Sequence, residues 1–219
     1  MKSTTSLRHG RIELALHQVT DDEGPALLML HGLGESTSAA VPEGLLGWPG
    51  PVWGLDFTGH GESTVPVGGG YTAEILLADA DHALRHLGSA TVVGRGLGSW
   101  IAMLLAGAHP EAVRGAVLTD GPGLIGGGVQ PGSPFVIEPP AGVDEGIAPD
   151  PFALVELARD VRPPDYAARF VRFVVEGSPL NEPIVISSVS RPEWIEAVAA
   201  EPGVGEMALD DALRLFADE

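Results

Sequence analysis

The chain has no cysteine among its 219 residues, which excludes disulfides and any thiolate-based metal or redox centre. Basic residues are scarce: 12 Lys and Arg stand against 30 Asp and Glu, a formal charge of −18, and the few cations do not cluster. Neither nucleic acid nor an anionic membrane surface is therefore an expected partner. Long apolar runs are missing too. The opening MKSTTSLRHGRIEL has no signal-peptide core, and no stretch reaches the roughly 18 apolar residues of a membrane helix, so the expectation is a cytoplasmic protein. The last shortage is local. All seven histidines (His9, His17, His31, His60, His82, His86, His109) precede residue 110, so any imidazole base must come from the first half.

What is present is 44% hydrophobic residues, enough for one core and a single domain spanning 1–219. Short apolar runs alternate with helical patterns, the signature of a mostly parallel sheet in a three-layer α/β/α architecture. RIELALHQV (11–19) alternates and reads as an edge strand, whereas ALLMLH (26–31), PVWGLD (51–56), ATVVG (90–94) and GAVLTD (115–120) read as buried parallel strands. Between them, 72–88 places Leu76, Ala80, Ala83, Leu84 and Leu87 on one helical face and stops at Gly88. LGSWIAMLLAGAHP (97–110) is apolar nearly all round and reads as a buried helix. From Gly121 to Asp150 there are 8 Gly and 6 Pro in 30 residues, which points to a loop-rich excursion. With helical segments near 151–161 and 164–176, it reads as a short Gly/Pro-rich lid inserted between about Gly121 and Glu182. A strand at PIVISSV (183–189) and helices near 192–200 and 208–217 complete the pattern.

TVVGRGLGSWIAMLLAG (91–107) admits two readings. Gly94, Gly96 and Ser99 fit the G-x-G-x-x-small turn of a dinucleotide site, with Asp120 closing the next strand as the ribose-binding acid would. Against this, the fingerprint belongs on the first strand of such a unit, and here two buried strands with Gly-rich turns precede it.

The second reading takes the strand ends in order: HGLGES (31–36), DFTGHGES (56–63), VVGRGLGSW (92–100) and LTDGPG (118–123). This succession resembles the α/β-hydrolase superfamily, with its H-G oxyanion turn, D-x-x-G-H-G-x-S loop and G-x-S-x-G nucleophile elbow. The resemblance implies an oxyanion hole made by the backbone N–H groups of Leu33, just after Gly32, and of Leu97. It also puts the nucleophile position on Gly96, which carries no attacking atom. A catalytic histidine after the last strand is absent, and the acid position holds SRPEW with Glu193 nearest. A Gly96→Ser chain is expected to fold with at most a slight loss of stability and to stay inactive for want of a base.

The resemblance implies a triad-deficient binding protein for a small molecule, a carboxylate being one candidate group. Glu35, Ser36, Arg95 and Asp120 lie on turns at strand carboxyl ends, where open α/β sheets bind ligands, and Arg95 would offer the positive charge. An alternative is a Ser-independent enzyme of unusual mechanism, in which His31, His60 or Asp120 activates water or a non-hydrolytic reaction runs in the same pocket; a nucleotide-binding protein and a partner-binding scaffold are further readings. In the resembling motifs His31 and His60 have structural roles, and Ser99 fits close helix packing. His82 and His86 share an i, i+4 face without a third ligand, so no metal is expected; no cofactor is expected either. An oligomer remains open.

Overall fold

The computed structural model describes residues 1–128 and 147–218. An eight-stranded sheet runs through it: β1 (Ser3–His9), β2 (Ile12–Gln18), β3 (Leu27–Leu30), β4 (Val52–Leu55), β5 (Ala90–Arg95), β6 (Val113–Thr119), β7 (Ile184–Ser187) and β8 (Val204–Glu206). The spatial order is β1-β2-β4-β3-β5-β6-β7-β8, antiparallel at the β1–β2 and β2–β4 pairings and parallel from β4 to β8. Residues 11–19 do form a strand, but not at the edge. Ser3–His9 pairs outside it through a two-residue turn in which Gly10 takes φ +61. Its sequence STTSLRH carries a single large apolar residue, so the pattern that flags buried strands is missing.

One face of the sheet is covered by α1 (Ala73–Leu87), α2 (Leu97–Ala108), α4 (Pro164–Gly177) and α5 (Glu193–Ala199), with α3 (Pro151–Arg159) packed into the same core. The other carries α6 (Leu209–Ala217) and a single 3₁₀ turn, Glu43–Leu45. Alternate residues of the parallel strands feed the two cores: Leu28, Leu30 and Val92 face the thick layer, while Leu27, Val93 and Val117 face α6. That division forces near-continuous apolar runs, which is why these strands were legible. Helix α2 is buried from Leu97 to Gly107, held between β5, β6 and α4.

The expected lid falls partly on 129–146, outside the described residues. Of its flanks, α4 lies in the helix layer against α2 and α5, with Ala167, Val171 and Val174 in the main core. Among the described residues no helix is long and apolar enough to cross a membrane.

Candidate functional site

Strands β3, β5 and β6 end side by side, which brings their following turns together. At the end of β5, Gly96 adopts φ +57, ψ −116 and caps the N-terminus of α2. That left-handed region is open to glycine and costs other residues roughly 1–3 kcal/mol. Two residues on, Gly98 lies where a Cβ would strike the Leu30 and His31 carbonyls, so the glycines of this segment permit a helix packed directly onto β3.

The N–H groups of Leu33 and Leu97 converge on one point, as the geometry of an oxyanion hole requires, yet the oxygen found there belongs to the chain. The Pro122 carbonyl accepts from Leu33 N–H at 3.0 Å and from Leu97 N–H at 2.9 Å. The same Gly121–Pro122 backbone fills the space beside Gly96: a Cβ on Gly96 would collide with the Pro122 oxygen and the Gly121 carbonyl, whose oxygen would be 2.8 Å away. A serine at 96 therefore has no room, which corrects the expectation that Gly96→Ser folds with little loss. The Gly96 N–H donates to the Thr119 carbonyl at 3.1 Å, so with Leu97 two of the amides that a dinucleotide phosphate would need are already engaged.

His31 is buried and fully engaged. Its Nδ1–H donates to the Gly32 carbonyl at 2.7 Å and its Nε2 accepts the Phe57 N–H at 3.1 Å. Desolvation, followed by the neighbouring His60, pushes its pKa down to about 4. His60 has no exposed surface; its Nδ1–H donates to the Thr58 carbonyl and its Nε2 accepts from Gly34 N–H, both at 3.2 Å, and burial lowers its pKa as well. Neither imidazole has a lone pair free to take a proton from water. Together they clamp the turn carrying Leu33 to the loop after β4. Asp56, beneath them, accepts from Thr37 N–H, Glu62 N–H and His17.

Asp120 is engaged by the segment that follows β7. Its carboxylate accepts from the Ser188 hydroxyl (2.7 Å), Val189 N–H (2.7 Å) and Ser190 N–H (3.0 Å), tying β6 to the turn after β7. Desolvation works to raise its pKa, but these donors prevail and hold it at about 2. The nearest carboxylate of the SRPEW segment, Glu193, opens α5. The Ser99 hydroxyl lies 2.8 Å from the Gly94 and Thr119 carbonyls and accepts the Thr119 N–H, locking α2 to β5 and β6.

Gly32, Glu35 and Arg95 form a second cluster beside the elbow. Arg95 Nε lies 3.1 and 3.0 Å from the two Glu35 oxygens, its Nη1 donates to the Asp120 carbonyl at 3.0 Å, and Glu35 also accepts Gly32 N–H at 3.0 Å. His31, Glu35, Ser36 and Arg95 line a cleft of about 390 Å³ on the α6 face, whereas Gly32, Leu33, Gly96, Leu97 and Asp120 do not. His82 stacks on His9 and bonds the Ala78 carbonyl, while His86 lies against Trp53. No group of three potential metal-binding side chains gathers among the described residues.

The sheet order, the elbow turn and the paired amide donors define an α/β-hydrolase framework, and the chain belongs to that family: the alpha/beta hydrolase fold model matches residues 25–180. Comparison with curated proteins gives no match. Among solved structures, E-2-(acetamidomethylene)succinate hydrolase is 21% identical with a TM-score of 0.65, the alignment covering 94% of this chain and 90% of that one. The thioesterase domain from the curacin biosynthetic pathway is 14% identical at TM-score 0.64, covering 99% and 98%. Ferulic-acid-bound Est1E from Butyrivibrio proteoclasticus is 16% identical at TM-score 0.62, covering 98% and 95%. Other matched proteins are longer: the chain spans 39% of a probable hydrolytic enzyme from Pseudomonas aeruginosa. At these identities the likeness is one of fold.

The Pro122 carbonyl was not readable as a functional group in the sequence, because every residue carries a carbonyl and only the fold decides which one docks. Arg162 was also missed. It is 1% exposed, its Nη1 donates to the Leu124 carbonyl, and its Nε and Nη2 have no hydrogen-bond partner among the described residues.

Proposed function

We propose that this chain is a small-molecule-binding member of the α/β-hydrolase family that does not carry out serine-dependent hydrolysis. The observation that carries this reading is the Pro122 carbonyl seated between the Leu33 and Leu97 amides, next to a nucleophile position occupied by Gly96. An ester carbonyl would have to displace that oxygen to be polarised, and no side-chain hydroxyl or thiol at 96 would then attack it. The two nearest imidazoles are neutral and committed on both nitrogens. A carboxylate-bearing molecule is the ligand class that the half-exposed Arg95 favours.

The test is turnover of p-nitrophenyl acetate and butyrate together with labelling by a fluorophosphonate probe. Hydrolysis no faster than the buffer rate and no covalent adduct are expected. Turnover that the probe abolishes would overturn the reading.

A further inference from the structure

The cleft on the α6 face opens at the carboxyl ends of β3, β5 and β6, between the turn at Glu35–Ser38, the Glu43–Leu45 segment and the first residue of α6. Its volume of about 390 Å³ is at the small end of the range of roughly 300–1,000 Å³ typical of ligand pockets. Met29, Leu45, Val93 and Leu209 make an apolar wall, and Glu35 and Arg95 stand at its polar end.

We propose that this cleft binds a small monocarboxylate with an apolar body, its carboxylate taking the place of Glu35 on Arg95. The inference rests on the binding-protein reading above and puts the ligand on the sheet face away from the elbow, where the Gly121–Pro122 backbone leaves no space. Among the described residues Arg95 is the one permanent cation lining the cleft, and its Nε already holds a carboxylate, that of Glu35. The pair is exchangeable: the two side chains are 55% and 31% exposed, and ion pairs so wetted are worth about 0–1 kcal/mol. Glu35 is not stranded by the exchange, because its Oε2 keeps the Gly32 N–H. A dianionic phosphate fits less well, since it would bring a second negative charge to a single cation on a chain of formal charge −18. The apolar wall selects for a hydrocarbon body over a free small acid such as acetate.

The test is calorimetric titration of the full chain with sodium octanoate, with 1-octanol and sodium acetate as comparators. Saturable binding of octanoate is expected, at least tenfold tighter than that of either comparator. Arg95→Met should cost octanoate tenfold or more and leave 1-octanol unchanged. Glu35→Gln should tighten octanoate severalfold, because its amide oxygen still serves Gly32 while the competing charge is gone; a merely structural Glu35 would not give that gain. Leu209→Trp, at the half-buried start of α6, should block octanoate and 1-octanol alike. No saturable heat, equal affinity for octanoate and 1-octanol, or binding untouched by Arg95→Met or Leu209→Trp would overturn the proposal. If octanoate fails while the chain stays inert to esters, only the cleft assignment falls. Probe-sensitive ester turnover removes the binding-protein reading whatever octanoate does.

Discussion

Gly96 shows how a neighbour distant in sequence can close off a turn whose shape is set locally. The φ of +57 is that of a nucleophile elbow, and the helix that starts there is buried along nearly its whole length. From the sequence, a serine at this point was expected to fold with at most a slight loss of stability. The structure adds a neighbour 25 or 26 residues further along, since Gly121 and Pro122 occupy the volume a side chain would need. Two costs therefore combine in any larger residue: the left-handed backbone, and overpacking against main chain that cannot rotate away. Gly96→Ala and Gly96→Ser are both expected to lose roughly 2–5 kcal/mol, read as a lower urea midpoint, and neither should gain esterase activity. An unfolding free energy within about 0.5 kcal/mol of the parent would mean that the Pro122 turn lifts at little cost and that the hole opens in solution.

At the level of elements, the strands fed by both cores announced themselves, and so did α1, α2 and the two terminal helices. Strand β1 was silent because alternation of exposed polar residues looks like loop, and β8 because three residues make no period. The candidate site was legible as donors and illegible as an occupied site: HGLGES and GRGLGSW located Leu33 and Leu97, but a backbone acceptor leaves no mark in residue type. Arg162 shows the same limit. Between α3 and α4, its guanidinium lies 5.8 Å from the Trp100 ring centre, and desolvation lowers its pKa to about 10, partly offset by Asp160. Its acceptor, the Leu124 carbonyl, is also served by Trp194 Nε1 at 2.9 Å. Removing the cation thus leaves that carbonyl served by Trp194 and relieves two buried donors that are unpaired among the described residues. Arg162→Met, which keeps the apolar stem, should raise stability by about 1–2 kcal/mol in urea unfolding. A loss of that size would instead mark the charge as part of the architecture.

For the molecule as a whole, two electrostatic effects of different range compete as pH falls. A formal charge of −18 repels itself, so acidification toward neutrality of charge, like added salt, favours the compact state. Opposing this, His31 is held neutral with a pKa of about 4 and His60 is lowered in the same direction. A histidine whose folded pKa lies below its unfolded value near 6.5 takes up its proton preferentially in the unfolded chain, so stability is lost as pH drops from about 6.5 toward 4. For His31 alone that loss is on the order of 3 kcal/mol, a large part of the about 5–15 kcal/mol typical of a domain. Asp120 behaves in the usual carboxylate sense: its stabilisation is complete above about pH 4 and disappears only as pH falls toward 2. The histidines therefore act first. Salt separates the two effects, because it screens exposed repulsion within about 10 Å at 0.1 M but does not reach a desolvated ring. Raising NaCl from 10 to 300 mM at pH 7.5 should raise the thermal midpoint by several degrees. The drop in midpoint between pH 7.5 and pH 5 should then persist at 300 mM NaCl, because its source is buried. A drop that vanished in salt would place the acid sensitivity on the surface charges and take His31 and His60 out of the account.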